Sequence, residues 1–207
     1  MITGIARRSL RRLPEAVFAM ALLAATPVIG QTNFSFFLGA TALESQLSPA
    51  TNLGASVGLI TKFNVVELVR LRGQVHVDKV QVDDVTIGSF HGRESVTMVC
   101  FGFGGELAVG GRDVDVFVNA TPHGTIRTTF RTETADDGSV HVSSLTRFSL
   151  GMVFGAGVEV FITDNIGFEL QAQYDIFNFD HDETDPLYTG TRALAGLQFY
   201  LGRNFAR

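Results

Sequence analysis

The sequence predicts an all-β protein: one eight-stranded, up-and-down antiparallel transmembrane β-barrel behind a short leader. Three observations lead there. Apolar and polar residues alternate with period two through most of residues 31–207, which is the signature of strands with one apolar and one polar face. The alternating segments number eight, and an even count suits a barrel that closes on itself. The links between them are short and long in turn, the layout of a membrane barrel with tight turns on one side and long loops on the other.

The leader comes first. Arg7, Arg8, Arg11 and Arg12 form a basic start, Ala16 to Ile29 carries no charge, and a cleavage point is expected ahead of Gln31. That order reads as a signal peptide over residues 1–30, leaving residues 31–207 as the barrel domain. The uncharged run has 14 residues, short of the ~20 that a spanning helix needs. The leader holds four Arg and one Glu, so its removal takes the net charge from −5 to −8. A surface of that sign offers nothing to nucleic acid. The lone Cys100 excludes a disulfide framework.

The strands follow in order. Near 33–42, Phe34, Phe36, Leu38 and Ala40 alternate with Asn33, Ser35, Gly39 and Thr41. Near 53–63, Val57, Leu59 and Thr61 alternate with Ser56, Gly58 and Lys62. Near 67–81, Val69, Leu71, Val75 and Val77 stand against Arg70, Arg72, Gln74, His76 and Asp78. Near 95–109, Val99, Phe101, Phe103, Leu107 and Val109 stand against Gly102, Gly104 and Glu106. Near 113–121, Val114, Val116, Val118 and Ala120 alternate with Asp115, Asn119 and Thr121. The run at 148–163 is the longest, from Phe148 to Ile162 on one face, with Val153 and Phe161 as exceptions on the other. Ile166, Phe168, Leu170, Ala172, Tyr174 and Ile176 then oppose Gly167, Glu169, Gln171, Gln173 and Asp175. The last segment, near 190–202, sets Ala193, Ala195, Leu197, Phe199 and Leu201 against Arg192, Gly196, Gln198 and Tyr200.

Short links fall at 64–66, 110–113 and 163–165, and long polar links at 43–52, 82–94, 122–147 and 180–189. The third long link carries Asp136-Asp137-Gly138 between strand-like stretches, so its hairpin is expected to run past the membrane. The apolar faces are unbroken and rich in Phe, whereas the other faces carry Gly, Gln, Glu and Arg. Lipid requires this arrangement, apolar outside and polar inside, in a closed sheet that pairs every backbone N–H and C=O.

The pattern resembles the small outer-membrane barrels of the OmpA/OmpX type, the porin-like outer-membrane β-barrel domain, over about residues 31–202. The stretch from Phe154-Gly155-Ala156-Gly157 to Phe168-Glu169-Leu170 resembles that family's hairpin before its last long loop. Gly196-Leu197-Gln198-Phe199-Tyr200-Leu201 resembles its C-terminal signal for the barrel-assembly machinery. Two departures stand out: Leu194 replaces a usual polar residue, and six residues follow Leu201 where the family ends on an aromatic. The resemblance implies insertion by that machinery into the bacterial outer membrane, with lipid and lipopolysaccharide around the barrel.

Eight strands enclose about enough room for their own side chains. The inward charges therefore matter. Lys62, Arg70 and Arg72 come from the second and third strands, and Glu106, Asp115, Glu159 and Glu169 from the fourth to the seventh. An acidic wall facing a basic wall is expected, with Arg70 or Arg72 bridging the two. Glu159 is expected opposite Glu169, and Glu106 opposite Asp115 if the turn centres on residues 110–111. Like charges placed so need compensation.

Three functions follow from this interior. The first is a non-enzymatic envelope protein with a structural, adhesive or surface-interaction role through its loops. The second is a small ion-selective channel. The third is a lipid A-modifying enzyme, because a lipid A deacylase among such barrels uses a His, a Ser and an acid, and His141-Val142-Ser143 sets two of these on one strand face. The nearest downstream acid, Glu159, lies 16 residues away toward the periplasm, which disfavours a triad. Paired carboxylates inside a closed tube leave no cleft for a sugar chain. His91 and His123 are expected in loops. Asp180-His181-Asp182-Glu183 with Asp185 lacks the glycine-containing register of a Ca²⁺ loop. No catalytic, cofactor-binding or metal-binding residue is expected.

Overall fold

The computed structural model describes residues 32–45, 48–66, 68–87, 90–134, 140–179 and 187–201. The leader and the acidic run at 180–186 lie outside these. The strands are β1 (Thr32–Ser45), β2 (Ser48–Val66), β3 (Val69–Ile87), β4 (Phe90–Gly110), β5 (Val114–Thr134), β6 (Val140–Phe161), β7 (Ile166–Ile176) and β8 (Tyr188–Leu201). Each pairs antiparallel with its neighbours in sequence, and β8 returns to β1, so the sheet closes without an edge. Among the described residues no helix is long and apolar enough to cross a membrane.

Side-chain parity separates two surfaces. Phe36, Leu38, Val57, Phe103, Leu107, Val116, Phe148, Leu150, Leu170 and Leu197 point outward and are exposed. Lys62, Arg72, His76, Asp78, Glu106, Glu159, Asp175 and Gln198 point inward and are buried. An exposed apolar belt around a buried polar interior is the reverse of a soluble fold and matches lipid as the surrounding solvent.

The strands run further than the alternation suggests. Three stretches expected as long links are largely strand: β1 and β2 meet at Ser45 and Ser48, β3 and β4 at Ile87 and Phe90, and β5 and β6 at Thr134 and Val140. For the third of these the reason is threonine. Thr125, Thr128, Thr129, Thr132 and Thr134 are polar yet β-branched, so they weaken a hydropathy signal while favouring the pleated backbone. His91 and His123 accordingly lie on β4 and β5 rather than in loops.

One rim carries the tight turns β2–β3, β4–β5 and β6–β7, together with the start of β1 and the end of β8. The β4–β5 turn centres later than residues 110–111. Glu106 therefore faces Asn119, and Asp115 faces Gly110 on one side and Glu159 on the other. The pairing of Glu159 with Glu169 is as the turn at Asp164 implies. From the opposite rim the β5–β6 hairpin projects, and residues 140–146 of β6 are exposed on both faces.

Candidate functional site

Among the described residues, ionisable side chains gather in the interior of the barrel. Its lower tier, near the tight turns, gathers the seven charges that the sequence singles out: Lys62, Arg70, Arg72, Glu106, Asp115, Glu159 and Glu169. Lys62 is wholly buried, and its Nζ lies 3.2 Å from Glu106 and 3.2 Å from Glu169 while also pairing with Glu159. Arg70 Nη1 reaches Glu159 at 2.7 Å and Glu106 at 3.2 Å, and its Nη2 pairs with Asp115. Arg72 Nη1 donates to Glu106 at 2.8 Å and lies 3.7 Å from Glu169. Both arginines therefore bridge the walls, because each reaches carboxylates on more than one strand. This compensation lets Glu159 and Glu169 stand opposite each other.

Neutral groups complete the tier. Gln198 Nε2 donates to Glu159 at 3.0 Å and to Glu169 at 2.8 Å. Its Oε1 accepts from the Tyr200 hydroxyl. Ser35 Oγ donates to Glu169 at 3.1 Å, and Arg72 Nη2 to Gln171 at 2.7 Å. Phe117 is also turned inward, with Lys62 Nζ 4.2 Å above its ring. A desolvated cation over an aromatic face gains a further attraction.

Above this tier lies an apolar band of Phe37, Ile60 and Leu194. The order along β8 shows the layering: Gln198 belongs to the lower tier, Leu194 to the band, and Arg192 to a second charged tier. Parity alone did not single out that second tier. Arg192 pairs with Asp175 and with His76, and lies 3.6 Å from Asp78. His76 Nε2 is 3.3 Å from Asp78. His123 Nε2 meets Asp175 Oδ1 at 2.7 Å, its Nδ1 meets Thr125 Oγ1 at 3.0 Å, and Thr125 reaches Cys100 Sγ at 3.4 Å. Toward the open rim, Leu43, Val80, Val96, Met98, Cys100, Phe177 and Tyr188 form an apolar cap inside the tube. The inside of this barrel is thus layered rather than uniformly polar.

Small residues make room for these layers. A side chain at Gly157 would collide with the Leu170 carbonyl, the Phe117 ring and Gln171 Cβ. Gly104 is held in the same way by Ala120 and Thr121 of the adjoining strand. By contrast, His141 and Ser143 stand exposed on the projecting hairpin, paired across it with Glu133 and Arg131. Glu159 sits at the other end of β6, held by Lys62 and Arg70.

The architecture and interior define the class: a closed eight-stranded barrel of the small outer-membrane type, with a lumen filled by its own side chains. No protein-family model matches the chain. No curated protein matches it either. Solved structures do. Neisserial surface protein A is 14% identical with a TM-score of 0.55, over 82% of this chain and 98% of that one. The outer membrane protein OprG from Pseudomonas aeruginosa is 12% identical with a TM-score of 0.54, over 83% and 96%. Ail, the attachment invasion locus protein of Yersinia pestis, is 9% identical with a TM-score of 0.52, over 84% and 100%. At these identities the likeness is one of fold.

Proposed function

We propose that the chain is a bacterial outer-membrane protein that seals its own lumen and acts through its outward-projecting end, as a structural or surface-interaction protein. The β5–β6 hairpin carries this reading. It continues past the closed part of the barrel, and residues 140–146 expose both faces, including Val142 and Leu145. Exposed apolar side chains beyond a membrane belt suit contact with another surface. The turn rim then faces the periplasm, lipid and lipopolysaccharide surround the belt, and the barrel-assembly machinery reads the last strand. A channel is disfavoured because both charged tiers are internally paired and the outer end of the tube is stopped by apolar side chains.

An epitope inserted between Asp137 and Gly138 tests the reading. The protein should fractionate with the outer membrane, run faster on gels before heating than after, and bind the cognate antibody on intact cells. Recovery in the soluble periplasm, or an epitope detected only after lysis, would overturn it.

A further inference from the structure

We propose that a recess on the outer wall of the barrel seats an acyl chain of lipid A, with Lys79 meeting a phosphate of that lipid. The recess lies on the outward faces of β2 to β6 and has a volume of about 670 Å³, within the roughly 300–1,000 Å³ of a small-molecule site. Strand parity builds it. Gly73 on β3 and Pro122 and Gly124 on β5 fall on outward positions and leave the wall without bulk, while Phe103, Leu150 and Phe179 stand exposed around them. Pro122 has no N–H to give, and the β4–β5 register passes from Gly102↔His123 to Gly105↔Ala120 without the two pairs between. The closed sheet thus gives up rungs where the recess has its floor.

Charge identifies the occupant. Lys79 lies on the same outward face of β3, six residues from Gly73 toward the open rim, and is exposed. Among the described residues it has no ion-pair partner. Among them it is also the sole charge on the outward positions of β2 to β6, from the tight turns up to its own row. That row continues as Thr97 on β4, Thr128 on β5 and Thr146 on β6, with Thr128 Oγ1 3.1 Å from Thr146 Oγ1. One cation and three hydroxyls above an apolar recess match a phosphate above an acyl chain. The spacing fits. Six strand residues at about 3.3 Å each, tilted by about 40°, put Gly73 roughly 15 Å below Lys79 along the membrane normal. That is half of the ~30 Å hydrocarbon core, the depth of one leaflet. The β5–β6 hairpin projects from the same end as this row. In the orientation proposed above, on which this inference rests, the leaflet is therefore the outer one and its lipid is lipid A.

The parent and its variants are folded in non-ionic detergent micelles, and folding is verified by heat-modifiable gel mobility. Hexa-acylated, bis-phosphorylated lipid A is then added and bound lipid is read by native mass spectrometry. One lipid A should stay on the folded parent. Lys79→Gln should weaken retention by about fivefold, the worth of one cation at an anionic lipid surface, and Lys79→Arg should keep it. Met152→Trp builds an indole into the recess and should weaken retention too, whereas Leu197→Trp on the far wall should not. Lipid A stripped of its phosphates should be held no better by the parent than by the Lys79→Gln protein. A folded parent that holds no lipid A, or Lys79→Gln and Met152→Trp proteins that hold it as the parent does, would defeat the proposal. Outer-membrane fractionation with the hairpin epitope on the cell surface is read independently, so failure of this seat and failure of the proposed function are told apart.

Discussion

Replacing Lys62 by Met tests how the lower tier is held together. The Lys62 ammonium serves Glu106, Glu159 and Glu169 at once, in a position without solvent. Methionine keeps much of the length and removes the charge. Four carboxylates then face two guanidiniums. Glu106 and Glu159 keep Arg70, and Glu169 keeps only its 3.7 Å contact with Arg72 and its neutral partners. Because each carboxylate retains some compensation, the cost is that of one broken buried pair, about 3–5 kcal/mol, rather than three. With a denaturant slope of about 1–3 kcal/mol per molar urea, the unfolding midpoint should fall by roughly 1–5 M. The chain has no Trp, so the transition is followed by far-ultraviolet circular dichroism and gel mobility in detergent micelles. Adding Glu159→Gln restores the parent charge sum of the tier, and K62M/E159Q should recover part of the loss. A K62M midpoint within about 0.5 kcal/mol of the parent, as for an ordinary surface change, would refute the network as a source of stability.

Other perturbations separate the layers. Gly157→Val pushes a side chain into Leu170, Phe117 and Gln171 and should cost about 1–3 kcal/mol, whereas Gly105→Val meets open space outside and should be neutral or slightly stabilising, both read from urea midpoints. Phe117→Ala removes a buried ring and the face beneath Lys62, and should cost about 3–5 kcal/mol in the same assay. Replacing residues 133–141 by Asn-Gly should leave gel mobility and the midpoint nearly unchanged, because the ends of β5 and β6 that flank this link project beyond the closed sheet. A lost mobility shift would contradict that placement.

The parts legible in the sequence were those governed by parity. A period of two decides which face each residue takes, so Lys62, Arg70, Arg72 and the four carboxylates of the lower tier were placed inside before any register was known. Length was harder, because Thr-rich β5 looks like a polar loop. The upper tier was harder still. Arg192 of β8 meets Asp78 of β3 across the tube, and this meeting depends on the stagger with which the sheet closes, a property of all eight registers together. Inward parity of Asp78, Asp175 and Arg192 was the available signal. His123 was missed for the same reason as the rest of its strand. Phe37, Ile60 and Phe117 broke the rule of a polar interior, since a packed lumen needs volume as well as charge.

Single-channel recording with the folded chain in a planar lipid bilayer tests the central claim most directly. On the proposed reading, two internally paired charge tiers, an apolar band and an apolar cap seal the tube. The parent should therefore give no stepwise current at voltages the bare membrane withstands. Stable, reproducible conductance steps from the parent would show an open lumen and contradict the account.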